Sequence, residues 1–156
     1  MKKYRYVTVD TGKENDCWAK ALMFALNKPY AVIREKLDWL VNKDGSIFNY
    51  ITGGVLLSHG YINHEFTNIK VKDLLDILDL KKHAIVVSVE SHTFFTYDGV
   101  IYDYIKNDDE LYSELNEDVL HILYKPVSSY KDTKLAIEER LTEVNNLLKG
   151  KHDETV

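Results

Sequence analysis

The chain has 156 residues, 45% hydrophobic and 29% charged, a length and composition that suit one globular domain with its own core. A net charge of −5 without clustered Lys and Arg argues against a nucleic-acid partner, and no apolar run reaches the length of a bilayer span. The opening MKKYRYVTVD alternates polar with apolar residues instead of starting a secretory apolar stretch, and one cysteine cannot close an internal disulfide, so a cytoplasmic protein without membrane contact is expected.

In chain order, YRYVTV (4–9) has the β-branched and aromatic alternation of a short strand, and TGKEND supplies turn and capping chemistry before a helix starting at Asn15 or Asp16. CWAKALMFALN sets Trp18, Ala21, Leu22 and Ala25 on one helical face, and Asn27 and Pro29 end that helix and open the next. Ile33, Leu37 and Leu40 continue the helical period up to Lys43-Asp44-Gly45. Gly53-Gly54 reads as a bend between helices, VLLSHGY as a short helix ending at Gly60, and VKDLLDILDL as a clearer helix.

The period then changes. AIVVSVE (84–90), HTFFTY (92–97), VIYDYI (100–105) and VLHILYK (119–125) read as strands, and the acidic run at 107–110 as a solvated loop or helix start. The expected class is α+β: N-terminal helices on a small antiparallel sheet in residues 1–128, followed by an amphipathic helix over 129–150. Leu135, Ile137, Leu141, Val144 and Leu148 form a narrow stripe on that helix, a seam that also suits a homo-oligomer, and Gly150 fits its C-cap. Residues 151–156 read as a disordered tail.

Asp98-Gly99 between two strand patterns is a strong two-residue hairpin signal. With that loop, Phe94 lies opposite Asp103, so His92 and Asp103 project from one face as diagonal neighbours, about 7–8 Å apart at the backbone. Cys17 falls in the first turn of the first long helix, where unpaired backbone N–H groups favour the thiolate that acyl transfer requires. Nucleophile, base and orienting carboxylate are therefore expected in Cys17, His92 and Asp103. Asn15 is the nearest side-chain amide for an oxyanion hole and equally suits a helix N-cap. No histidine pair shows metal-ligand spacing, so neither metal nor other cofactor is expected.

The strings NDCWAKALMFALNKPYAVIREKL and SHTFFTYDGVIYD resemble a group of small, often phage-encoded, papain-like cysteine peptidase-fold proteins. Their pattern is Asn-Asp-Cys, an Ala-rich helix, a Tyr opening the next helix, and a His strand leading to Asp-Gly-x-x-x-Asp. Asn15, Asp16, Cys17, Ala21, Tyr30, His92, Gly99 and Asp103 stand at those positions. The resemblance covers residues 14–105 and implies a papain-like fold with Cys17 and His92 catalytic and Asp103 orienting. The chain departs from the pattern at Tyr104-Ile105-Lys106, where many members have Thr-Trp-Asp, and it lacks the glutamine that precedes the papain nucleophile. The expected activity is hydrolysis of a peptide, isopeptide or other amide bond in a protein or peptide substrate, in the host cytoplasm if phage-encoded. The competing expectation is an inactive module on the same fold that sequesters a protein partner.

Overall fold

Alternating β-branched and aromatic residues build a mixed sheet of six strands, and two groups of helices cover its faces. The computed structural model describes residues 4–154, with side chains described through Gly150. In chain order the elements are β1 (Arg5–Thr8), α1 (Cys17–Leu26), α2 (Tyr30–Leu37) running into a 3₁₀ turn (Asp38–Leu40), α3 (Asn49–Ser58), β2 (Ile62–Glu65) and α4 (Val71–Ile77). There follow β3 (His83–Val89), β4 (His92–Tyr97), β5 (Val100–Asp103), α5 (Asp108–Leu115), β6 (Val119–Pro126) and α6 (Tyr130–Glu154). The sheet order is β1-β5-β4-β3-β6-β2. The chain is thus α+β.

Strand alternation divides the core into two layers. Val86, Phe95, Tyr97, Val100, Tyr102 and Leu123 face one way and pack with Trp18, Leu22 and Phe24 of α1, Tyr30 and Ile33 of α2, Leu56 of α3, and Ile137 and Val144 of α6. Ile85, Val87, Phe94, Ile101 and Ile122 face the other way, against Val71, Leu74 and Leu75 of α4 and Leu111 and Leu115 of α5. Phe24 anchors the first layer, with ring centroids 5.5 Å from Phe95 and 5.2 Å from Tyr102. No described helix is long and apolar enough to cross a membrane.

The β4–β5 hairpin has the register of a two-residue turn, with Tyr97 opposite Val100, Thr96 opposite Ile101 and Phe95 opposite Tyr102. Asp98 and Gly99 both have positive φ, 53° and 73°, as the tight hairpin turn demands. Several expectations are corrected. The sheet is not wholly antiparallel, because β1 runs parallel to β5, Thr8 beside Asp103. Gly53-Gly54 lies inside α3 and is no bend; the apolar residues around it carry the helix through. The strand β2 was not expected at all, and its exposed INHE sequence shows no buried face to announce it. Gly150 is inside α6, whose backbone stays helical to Glu154, so it is no C-cap; Thr155 and Val156 lie outside the described residues.

The long α6 also closes a gap in α2. Pro29 occupies the N-cap position of α2 and offers no side-chain acceptor, and Glu143 of α6 supplies one, its Oε2 accepting from the Tyr30 N–H at 2.7 Å. Arg140 holds the other carboxylate oxygen of Glu143 at 3.4 Å. Glu143→Ala is therefore expected to lower unfolding stability by about 1 kcal/mol. Urea denaturation beside the exposed control Glu139→Ala checks this, and equal stability of the two variants would remove the capping role.

Candidate functional site

Turn parity, strand pairing and one buried carboxylate assemble the site. His92 opens β4 and Asp103 closes β5, and because the two-residue turn gives them the same face, His92 Nε2 and Asp103 Oδ2 meet at 2.5 Å. Asp103 is buried, and its Oδ1 also accepts the Tyr104 backbone N–H at 2.8 Å. The parallel β1 delivers the chain to this end of the sheet, Val9 N–H donating to the Asp103 carbonyl at 2.9 Å. Residues 10–16 then turn over the end of β5 into Cys17, the first residue of α1. Cys17 is half-buried and lines the same cleft as His92. Since Nε2 is taken by carboxylate, Nδ1 is the ring nitrogen left for the thiol.

The start of α1 is held by Asp16, which is almost wholly buried. Its Oδ2 accepts from the Thr11 hydroxyl and, at 2.7 Å, from the Tyr30 hydroxyl. Lys20, also buried, forms an ion pair 3.3 Å from Oδ1, one helical turn on. Burial, followed by the hydrogen bond to Asp16, raises the Tyr30 phenol well above its ordinary range and keeps it a donor. Asp16 is the N-cap residue of α1, yet its side chain makes no capping bond. Asn15 is not the cap. It has a left-handed φ of 56°, and its Nδ2 donates to the Asp44 carbonyl at 2.7 Å. Beside it Trp18 Nε1 donates to the Gly45 carbonyl at 3.0 Å, so the 42–46 loop is pinned against the helix start.

A cleft of about 580 Å³ opens over these residues, lined among others by Lys13, Asn15, Cys17, Lys20, His92 and Tyr104. The structure thus brings Cys17, His92 and Asp103 together and puts Asn15 at the rim, its amide partly engaged. Sequence reading missed two groups here. One is Lys20, legible only as a partner four residues after Asp16 on a helix. The other is Glu114 of α5, whose Oε1 lies 3.3 Å from His92 Nε2. It stands three residues after Leu111, on the buried face of its helix, a placement visible once that helix is known.

Burial alone would push the His92 ring down, but Asp103 first, then Cys17 and Glu114 beside it, favour the charged ring and push it up to about 12. About a third of that side chain stays open to the cleft, so solvent screens part of the pairing. For Asp103, burial pushes upward and is outweighed by the effects of the neighbouring His92 and Glu114 side chains, leaving the carboxyl below its ordinary range. Glu114 goes the other way, pushed up to about 8 by burial first and by Asp103.

His92, Asp103 and Glu114 each offer one ligand-type atom, all within 4.8 Å of one another, the composition of a small metal centre. The His92–Asp103 spacing is instead that of a proton-linked pair. Two atoms on one tetrahedral zinc stand about 3.3 Å apart, against 2.5 Å between His92 and Asp103. No family model, curated protein or solved structure matches this chain.

Removing Asp16 would strand the Lys20 ammonium and leave two hydroxyls without an acceptor. Asp16→Ala is expected to destabilise the fold by about 3 kcal/mol, the scale of a broken buried pair. Tyr30→Phe, losing one neutral-to-charged hydrogen bond, should cost about 1.5–3 kcal/mol. Denaturant midpoints measure both. An Asp16→Ala loss below 1 kcal/mol, within the ordinary scatter of surface changes, would show that the carboxylate does not hold the helix start.

Proposed function

We propose that the protein is a papain-like cysteine hydrolase that cleaves an amide or isopeptide bond in a protein or peptide substrate. The observation that carries this reading is the 2.5 Å His92–Asp103 contact in one cleft with Cys17, which stands at a helix start. In this reading Cys17 Sγ attacks the substrate carbonyl carbon, the proton of the thiol residing on His92 Nδ1. The tetrahedral oxyanion takes backbone N–H groups of the first turn of α1, which have no intrahelical acceptor, with the second amide hydrogen of Asn15 as the side-chain donor. His92 gives its proton to the leaving amine as the C–N bond breaks, and a thioester remains on Cys17. Water then loses a proton to His92 and attacks the thioester, releasing the carboxylic product and the thiol. Asp103 keeps Nε2 protonated and the ring in place throughout.

The resemblance of NDC, the Tyr30 helix and the His92-to-Asp103 hairpin to phage-encoded papain-like proteins supports the same reading, as does the Tyr30–Asp16 bond, which gives two of those shared positions a joint structural task. Cytoplasmic action follows from the same resemblance. Self-association through α6 would use its exposed Leu135 and Leu147.

Iodoacetamide should alkylate Cys17 at pH 7 about tenfold faster than free cysteine, and His92→Ala should remove that advantage. Cys17→Ala should stay folded and lose all hydrolysis of any substrate found. Alkylation at the free-cysteine rate, unchanged in His92→Ala, would favour a module that only binds.

A further inference from the structure

Glu114 is the group at the site that the triad does not use. It comes from α5, on the sheet face where His92 and Asp103 project and opposite the layer that carries α1. Its Oε1 lies 3.3 Å from His92 Nε2, and its Oε2 is buried without a hydrogen-bond partner among the described residues. An ionised carboxylate only accepts, and so does its neighbour Asp103, within 4.8 Å. Two buried acceptors that close repel unless a proton lies between them. The His92 N–H bond already goes to Asp103, so it cannot fully satisfy Glu114 as well.

We propose that Glu114 is a positioning residue of this site: it carries a proton and donates it to Asp103, so that of the two carboxyl groups beside His92 one is an acid and only one is charged. The inference rests on the hydrolase reading for its purpose, though not for its test. A hydrogen bond given to Asp103 makes that carboxylate a weaker base, which loosens its hold on the imidazolium and leaves the ring free to pass its proton to a leaving amine. If both carboxylates were ionised, His92 would be held charged and would serve poorly as a base for water.

The groups that face Glu114 are few. His92 comes from β4 and Asp103 from β5, while α4, which packs against α5, turns Val71, Leu74 and Leu75 inward. Burial and Asp103 together raise Glu114 from 4.5 to about 8. The folded protein then keeps a proton that the unfolded chain releases, so this contribution is fully present below pH 4.5 and is lost as pH rises toward 8. His92, raised from 6.5 to about 12, acts with the same sign only above pH 6.5, and Asp103, lowered from 3.8, acts only below that value. Between pH 4.5 and 6.5 the difference between wild type and Glu114→Gln isolates Glu114, because the opposing effect of His121 is common to both.

The experiment measures urea-denaturation stability against pH for wild type and Glu114→Gln, and follows the His92 ring nitrogens by NMR in both. Wild type should lose stability relative to Glu114→Gln steadily from pH 4.5 to 6.5. The His92 signals should show an inflection near pH 8 that Glu114→Gln abolishes. Parallel stability curves, or an inflection that survives the substitution, would overturn the proposal. If Glu114→Gln does not fold, Asp103→Asn decides: removing the neighbouring charge should move the inflection to lower pH, and one that stays near 8 would overturn it. All of these readings can be taken in Cys17→Ala protein. Failure of proton sharing is thereby kept apart from failure of the hydrolase reading, which the iodoacetamide rates judge alone.

Discussion

The turn at Asp98–Gly99 decides the site more than any single contact within it. A strand has a side-chain period of two, so one residue more in that loop would send His92 and Asp103 to opposite faces of the sheet. With two residues, both of positive φ, they share a face and meet at 2.5 Å. Everything else is arranged around that pair. The α4–α5 layer covers the same face and so brings Glu114 to Nε2, while α1 lies across the other face and reaches the ring from the end of the sheet. The parallel β1 makes this last approach possible, because it runs beside β5 and leaves the sheet at Asp103.

A second buried carboxylate sets where Cys17 stands. Asp16 ties the loop through Thr11, the next helix through Tyr30 and its own helix through Lys20. The chain of dependence runs on to α6, since Glu143 caps the N-terminus of α2 at Tyr30, whose hydroxyl holds Asp16. The C-terminal helix follows every site residue in sequence, yet through this route it supports the helix start that carries the thiol. Ile137 and Val144 add the apolar part of that support.

Local signals made the hairpin and the first helix legible from sequence. Asp-Gly between two β-branched, aromatic runs specifies both a turn type and a parity, and Asn27 before Pro29 specifies a helix end, realised as a left-handed cap. What could not be read depends on tertiary contact. The strand β2 is exposed along its whole length and exists because its backbone pairs with β6, which INHE does not advertise. Gly53 and Gly54 are helical because Leu56 and Thr52 are buried on either side of them, which overrides their weak propensity. Glu114 was hidden for the same reason: DDELYSEL reads as a solvated acidic segment until Leu111 and Leu115 are known to face the core. Asn15 carried two good readings, cap and oxyanion donor, and the structure removes the first by giving it a left-handed backbone and a bond to Asp44.

The energetics of these groups bear on the choice between hydrolysis and binding alone. Buried charges are poor stabilisers: desolvation offsets most of what their attraction gives, and apolar residues of similar size would often serve the fold as well or better. Here Asp16, Lys20 and Asp103 are buried charged residues lining one cleft, and Glu114, close to Asp103, has a buried carboxylate oxygen without a hydrogen-bond partner among the described residues. A surface that worked by shape could do without them. A thiol chemistry that needs a ring with different tasks for its two nitrogens cannot, because Nδ1 is free for sulfur only while Nε2 is held elsewhere. The cost of the polar cluster is intelligible as the cost of fixing that ring, and this is the physical reason for preferring the proposed hydrolase to a module that merely binds.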